Sequence, residues 1–299
     1  MRRLKRTVLP ALALLLCASA SARAQGATPA AGVEKLERIL EQAGEAVARY
    51  QAGLFNITFT EVLRDEELSK EMTPKKSKEF VFETVVLRES LSENKEDFYP
   101  KSLRRLKTVD GKPAKKGRRA PWYGYSVQSL GILLPKYRKL FEFTLEGEER
   151  IVGRDAYRVR AWQPGQPPAS VDWKRGPIGL GMRFRPNAPA YALLWLDAEN
   201  FDVLRFETHL VAPFEFDSPR LFGAFGPSRH LRWTNYDYAA TFRRHTFKDP
   251  EQTLLVPDSA EWLTVIEGAR HPRLRATLRF SNYQRFRSDV KVIEEEPDN

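Results

Sequence analysis

Between Leu140 and Ala212 apolar and polar residues alternate with the period of two that a half-buried strand requires. Phe141, Phe143 and Leu145 fall on one face, with Glu142, Thr144 and Glu146 on the other. The pattern predicts a strand pair, LFEFTLEGEER and DAYRVRAWQ, with Glu146, Glu148 and Glu149 flanking a turn. After a Pro/Gly-rich interval comes a second pair within AYALLWLDAENFDVLRFETHLVA. There Leu204, Phe206, Thr208 and Leu210 oppose Arg205, Glu207 and His209, and Asp197-Ala198-Glu199-Asn200 supplies the reversal.

The flanking sequence adds a helix before this meander and more strands on both sides of it. Within residues 33–50, Val33, Leu36, Ile39, Leu40, Ala43 and Val47 recur at helical spacing, so one amphipathic helix is expected to dock on the sheet. Residues 54–64 and 78–91 are rich in β-branched and aromatic side chains and predict two strands joined by a charged loop holding Pro74. A strand over 99–109 ends at Asp110-Gly111, a strong hairpin signal. Residues 121–139 carry Trp122, Tyr123, Tyr125, Leu130, Ile132, Leu133 and Leu134 without clean alternation, which suits a short apolar plug on the sheet. Residues 163–189 and 213–228 are broken by proline and glycine and read as long loops. Further strands are expected at 230–242, with Tyr236, Tyr238, Ala240 and Phe242 on one face, at 260–267, and at 274–292, where Leu278 and Phe280 share a face. The fold class that follows is mainly β with some α. It is a strongly curved antiparallel sheet or incomplete β-barrel with one N-terminal amphipathic helix and a short plug.

The first 24 residues change the compartment. Arg2, Arg3, Lys5 and Arg6 precede an apolar run too short to span a bilayer, and Ala22-Arg23-Ala24 ends it, the pattern of a cleavable secretory signal. Residues 25–52 then read as linker and helix, 53–293 as one β domain with a basic insertion near 99–120, and 294–299 as an acidic tail. Export implies a periplasmic protein. Cys17, the single cysteine, lies in the signal behind the large Leu16, which disfavours lipid anchoring there, so the exported chain has no thiol for disulfides, metal or nucleophilic work. Forty-four bases face 39 acids beyond the signal, a mild excess that gives no reason to expect nucleic acid as a partner. The bases that do concentrate, Lys101, Arg104, Arg105, Lys107, Lys112, Lys115, Lys116, Arg118 and Arg119, fit either a solvated loop or peripheral contact with anionic lipid head groups or an acidic partner.

No catalytic signature is present. There is no Gly-x-Ser-x-Gly elbow, and Gly179-Leu180-Gly181 lacks the spacing of a phosphate loop. Glu207 and His209 share a strand face and could take a metal with His230 or His245, although such i,i+2 pairs are common by accident, and no metal or cofactor is expected. What stands out is the supply of large apolar residues. Phe141, Phe143, Leu145, Leu194, Leu196, Leu204, Phe206, Tyr236, Tyr238 and Phe280 are expected on one face, with Leu130, Ile132, Leu133 and Leu134 as the plug. One helix has to cover that face, so the interior is either a packed core or a partly open apolar cavity.

The signal, the single amphipathic helix, the plug and the hairpins EFTLEGEERIVGRDAYRVRAW and LLWLDAENFDVLRFETHL together resemble the outer-membrane lipoprotein-sorting carriers and the related sensor domains of envelope-stress regulators. The resemblance covers residues 33–290, and its most specific part is the hairpin from Leu194 to Glu207. It implies an incomplete β-barrel holding an acyl chain. The expected function is therefore that of a non-enzymatic periplasmic protein binding a lipid, lipoprotein acyl chain or other apolar ligand. Alternatives are a scaffold or sensor that binds another envelope protein, and a hydrolase with an unrecognised site. The basic insertion and the two Pro/Gly loops depart from the carriers.

Overall fold

The computed structural model describes residues 29–90, 98–115, 127–175, 182–218, 230–248 and 251–286. Residues 1–28 with Cys17, the bases Lys116, Arg118 and Arg119, the aromatic residues Trp122, Tyr123 and Tyr125, the Gly179-Leu180-Gly181 stretch and residues 287–299 lie outside these residues.

One helix precedes the sheet, α1 over Pro29–Gly53. Strands β1 (Ile57–Leu68), β2 (Pro74–Ser90), β3 (Phe98–Val109) and the two-residue β4 (Lys112–Pro113) follow as a meander. The plug is a 3-10 helix over Val127–Leu133 that leads into the single turn α2 (Pro135–Arg138). Then come β5 (Glu142–Ile151), β6 (Arg154–Trp162), β7 (Ser170–Arg175), β8 (Met182–Asn187), β9 (Ala190–Asp197), β10 (Val203–Leu210), β11 (Phe214–Asp217), β12 (His230–Lys248), β13 (Glu251–Glu267) and β14 (Arg273–Arg285). Pairing is antiparallel throughout, in the order β4-β3-β2-β1-β14-β13-β12-β10-β9-β6-β5, with β11 added beside β12. The chain closes the middle of the sheet by bringing β14 back against β1, while β3 and β5 remain at opposite ends, so the sheet is open. Among the described residues no helix is long and apolar enough to cross a membrane.

Curvature has a local cause. Register shifts place an extra residue in β14 against β1, in β3 against β2, in β5, in β10, and in both β12 and β13, and each extra residue bends its strand and increases its twist. At one of them Phe242 opposes Pro257, which explains how proline is tolerated inside the long strand β13. The Tyr283 hydroxyl donates to the Pro257 carbonyl, and burial pushes that phenol well above its usual range.

Helix α1 lies on the inner face of the curl. Ile39, Leu40, Ala43, Val47 and Tyr50 enter a single apolar cluster with Phe59, Leu63, Phe80, Phe82, Val159, Leu194, Leu196, Phe206, Leu278 and Phe280. Leu130 and Leu133 of the plug are completely buried in the same cluster. At Gly44 the two covering elements touch so closely that a Cβ would stand 2.8 Å from the Leu133 carbonyl oxygen. The inner face is therefore mostly a packed core, because the plug adds the covering that one helix alone could not supply.

Three expectations are corrected by the structure. Residues 163–189 are not loop throughout, since β7 and β8 form a separate hairpin in which Pro186 pairs with Val171. Residues 213–228 include β11, which pairs with the start of β12. Glu146, Glu148 and Glu149 do not flank a turn but lie within β5. The reversal is at Val152-Gly153, with φ of 51° and 77°, as a two-residue hairpin of the favoured hand needs.

Candidate functional site

On the inner face of β6, β9 and β10 the side chains stand in rungs set by the register. One rung is Val159, Leu194 and Phe206, all buried, and the next is Ala161, Ala192 and Thr208. Three large side chains are thus followed at once by three small ones on the same face. Beyond them Ala190 pairs with Leu210. Missing volume on this floor leaves a cleft of about 210 Å³, lined by Ile132, Phe141, Ala161, Gln163, Gln166, Ala190, Tyr191, Ala192, Phe206 and Thr208.

The walls come from different parts of the chain. Ile132 reaches over from the plug, and Phe141 stands just before β5. Gln166 closes the far side, its amide donating to the Ala190 carbonyl and accepting from the Ala190 amide, both at 2.9 Å. That reciprocal pair fixes the segment after β6 against the start of β9, as a short piece of strand would. Among the described residues the lining holds no aspartate, glutamate, lysine, arginine or histidine, and its side-chain polar atoms are neutral donors and acceptors from glutamine and threonine, since the Tyr191 ring packs on His209 at the outer face. A second recess of about 90 Å³, lined by Ala188, Ala190, Leu210, Phe214, Trp233 and Tyr236, shares Ala190 with the first. Burial raises the Tyr236 phenol above its usual range.

The ten large residues expected to line a cavity divide. Phe141 and Phe206 line the cleft and Tyr236 lines the second recess. Leu194, Leu196, Tyr238 and Phe280 are sealed in the core, with Tyr238 edge-on to Phe206 at 6.0 Å and Phe280 edge-on to Phe59 at 5.7 Å. Phe143 and Leu145 are half-buried against that core. Leu204 is on the other face, in a cluster with Ala156, Leu193 and Trp195. The register shift between Val203 and Arg205 reverses the alternation, so Val203 and Phe206 point inward and Leu204 outward. Of the plug residues, Ile132 lines the cleft, Leu130 and Leu133 are core, and Leu134 is half-buried beside them. The cleft's floor, Ala161, Ala190, Ala192 and Thr208, and its closing Gln166 are absent from the sequence-based expectation. A search for large apolar positions passes over the small ones that leave room, and the signal that finds them is a run of alanines where the alternation demands bulk.

The histidines do not assemble with one another. His209 lies on the outer face between Asp237 at 2.7 Å and Glu207 at 2.9 Å, within a ladder that continues through Arg205. Trp195 sits between the guanidinium groups of Arg158 and Arg205 at 5.6 and 5.5 Å, and its indole N–H donates to Glu149. His230 is exposed between Asp217 and Glu215, both at 3.0 Å, and these carboxylates, Asp217 foremost, hold its imidazole above the usual pKa. His245 packs against Phe247 and Tyr283, and burial lowers its pKa. Both ring nitrogens of His209 and of His230 are engaged by carboxylates.

On the opposite side of the core, Glu61 is 1 % exposed and meets Arg104 through two bonds of 3.0 and 2.6 Å. Thr84 donates to the same carboxylate, and the guanidinium lies 3.9 Å from the centre of the Phe82 ring. Burial outweighs the arginine and leaves the Glu61 pKa raised.

No protein-family model matches the sequence, and no curated protein matches it. Among solved structures the chain is similar to a LolA superfamily protein from Nitrosomonas europaea, at 10 % identity and a TM-score of 0.37, covering 84 % of this chain and 93 % of that one. It is similar to a DUF1329 family protein from Desulfovibrio piger, at 10 % identity, a TM-score of 0.39 and coverage of 86 % and 94 %. It also resembles a putative outer membrane lipoprotein-sorting protein domain from Vibrio parahaemolyticus, at 11 % identity, a TM-score of 0.41 and coverage of 86 % and 95 %. These are proteins of the kind that the helix, plug and hairpins resemble in sequence. At such scores the likeness carries no functional weight, and the reading below rests on the cleft itself.

Proposed function

We propose that this chain is a non-enzymatic binding protein that takes an apolar ligand, such as one end of a lipid or acyl chain, into the cleft over Ala161, Ala192 and Thr208. The observation that carries the reading is a place where the packed inner face stops being packed, floored by small residues and roofed by Ile132 and Phe141. The cleft exceeds the ~150 Å³ of an apolar cavity known to admit a benzene-sized guest. Together the two recesses offer about 300 Å³, at the lower end of the ~300–1,000 Å³ of small-molecule pockets, so they suit one chain end rather than a whole lipid. Each methylene moved out of water would contribute about 0.8 kcal/mol. The basic start, apolar run and Ala22-Arg23-Ala24 of the first 24 residues support a periplasmic location for such a protein.

Titration with the neutral apolar probe N-phenyl-1-naphthylamine tests the reading. Saturable fluorescence enhancement by the wild-type protein, lost in Ala192→Trp and weakened in Ala190→Phe, is expected. Melting curves run alongside separate occlusion of the cleft from unfolding. Equal enhancement by all three folded proteins would overturn it.

A further inference from the structure

Most of the described arginines on this sheet are paired with a carboxylate on their own or a neighbouring element. Arg154 meets Asp197, Arg158 and Arg160 meet Glu146, Arg205 meets Glu207, Arg243 meets Asp258, Arg244 meets Asp202 and Arg275 meets Glu66. The β3 edge is different. Along it Lys101, Leu103, Arg105 and Lys107 are exposed on one face, while Ser102, Arg104 and Leu106 turn inward, and Lys112 and Lys115 follow beyond the turn. Lys107 pairs with Glu83 at 3.2 Å, but Arg105, Lys112 and Lys115 hold no ion pair among the described residues. Leu103 is 47 % exposed, and the register sets Leu103 opposite Val85 and Lys101 opposite Leu87. The edge is therefore a row of bases around a small apolar strip, and among the described residues only the two of β4 lie beyond it in the sheet.

We propose that this edge is a docking surface for an anionic lipid membrane. Lysines on an edge strand also discourage strand addition by a second chain, and that accounts for the bases. It does not account for a large leucine displayed between them. A cationic row gives a long-range, salt-sensitive attraction, and a leucine inserted at head-group depth supplies the second contribution that weak peripheral binders need. Glu79, Glu83 and Asp110 lie nearby and make the attraction modest. The surface is separate from the cleft, which lies between the plug and β6, β9 and β10, so it stands whether or not the cleft binds a ligand.

Co-flotation of the purified protein with phosphatidylcholine vesicles, with and without phosphatidylglycerol, tests the proposal. Binding is expected only to the phosphatidylglycerol vesicles, and it should fall as salt is raised. The pair Arg105→Gln and Lys112→Gln should weaken it by roughly 30-fold, about 5-fold per base removed. Leu103→Ser should weaken it several-fold while leaving the salt dependence unchanged. None of these substitutions should alter N-phenyl-1-naphthylamine binding in the cleft. Failure to float with anionic vesicles, equal flotation with neutral ones, or unchanged binding by the Arg105/Lys112 variant would overturn the proposal, and the first result would leave an acidic protein as the natural occupant of the edge.

Discussion

Replacing Gly44 by alanine sets two well-calibrated effects against each other. In an exposed helix interior the change should stabilise by about 1 kcal/mol, since glycine is the poorer helix former. Here the added Cβ would meet the Leu133 carbonyl oxygen at 2.8 Å, and a backbone atom in the plug cannot swing aside as a side-chain tip can. Overpacking of this kind costs about 1–3 kcal/mol. Contact should win, leaving the protein less stable by about 1 kcal/mol, and thermal denaturation should show Tm lower by roughly 2–4 °C. Gly32 lies in the same helix with nothing within 4 Å of its Cβ position, so Gly32→Ala is the internal control and should leave Tm unchanged or slightly raised. Because the plug carries Ile132 over the cleft, Gly44→Ala should also weaken apolar-probe binding while Gly32→Ala does not. A Tm raised by both substitutions would refute the docking of plug on helix, and with it the roof of the cleft.

The remaining predictions use groups away from that contact. Arg104→Met strips the buried Glu61 of its counter-charge and should cost about 3 kcal/mol in denaturant unfolding. Adding Glu61→Met should recover most of the loss, and equal, additive costs would show that the two do not interact. In proton NMR His230 should titrate above the usual value of about 6.5 and His245 below it. His230 then contributes stability that is full below pH about 6.5 and is lost as pH rises through its raised value, whereas His245 costs stability as pH falls through about 6.5. Asp217→Asn should bring His230 back toward the ordinary value; unchanged titration in that variant would contradict the assignment.

How far the chain could be read without its structure depends on where the alternation is regular. β5, β6, β9 and α1 were legible because Phe143, Leu145, Val159, Leu194 and the Ile39–Val47 stripe keep strict periods. Leu204 was misplaced because one extra residue in β10 reverses the faces, and a bulge leaves no mark in the hydrophobic pattern. The hairpin of β7 and β8 was hidden by its prolines, which edge strands tolerate. Strands β12 and β13 run well beyond their clearly alternating parts because cross-strand pairing extends them, as Thr246 and Thr253 do through their hydroxyls at 2.8 Å. The cleft was the least legible feature, since it depends on Ala161, Ala192 and Thr208 coming into register from three strands, and none of them is distinctive alone.

The central claim is that the mostly packed inner face keeps a cleft over Ala161, Ala192 and Thr208 for an apolar chain end. Its most direct measurement is organic extraction of the purified protein followed by mass spectrometry, with Ala192→Trp prepared in parallel. An apolar compound recovered from the wild-type protein and depleted from the folded variant is the predicted result. Equal recovery from both, or none from either, would contradict it.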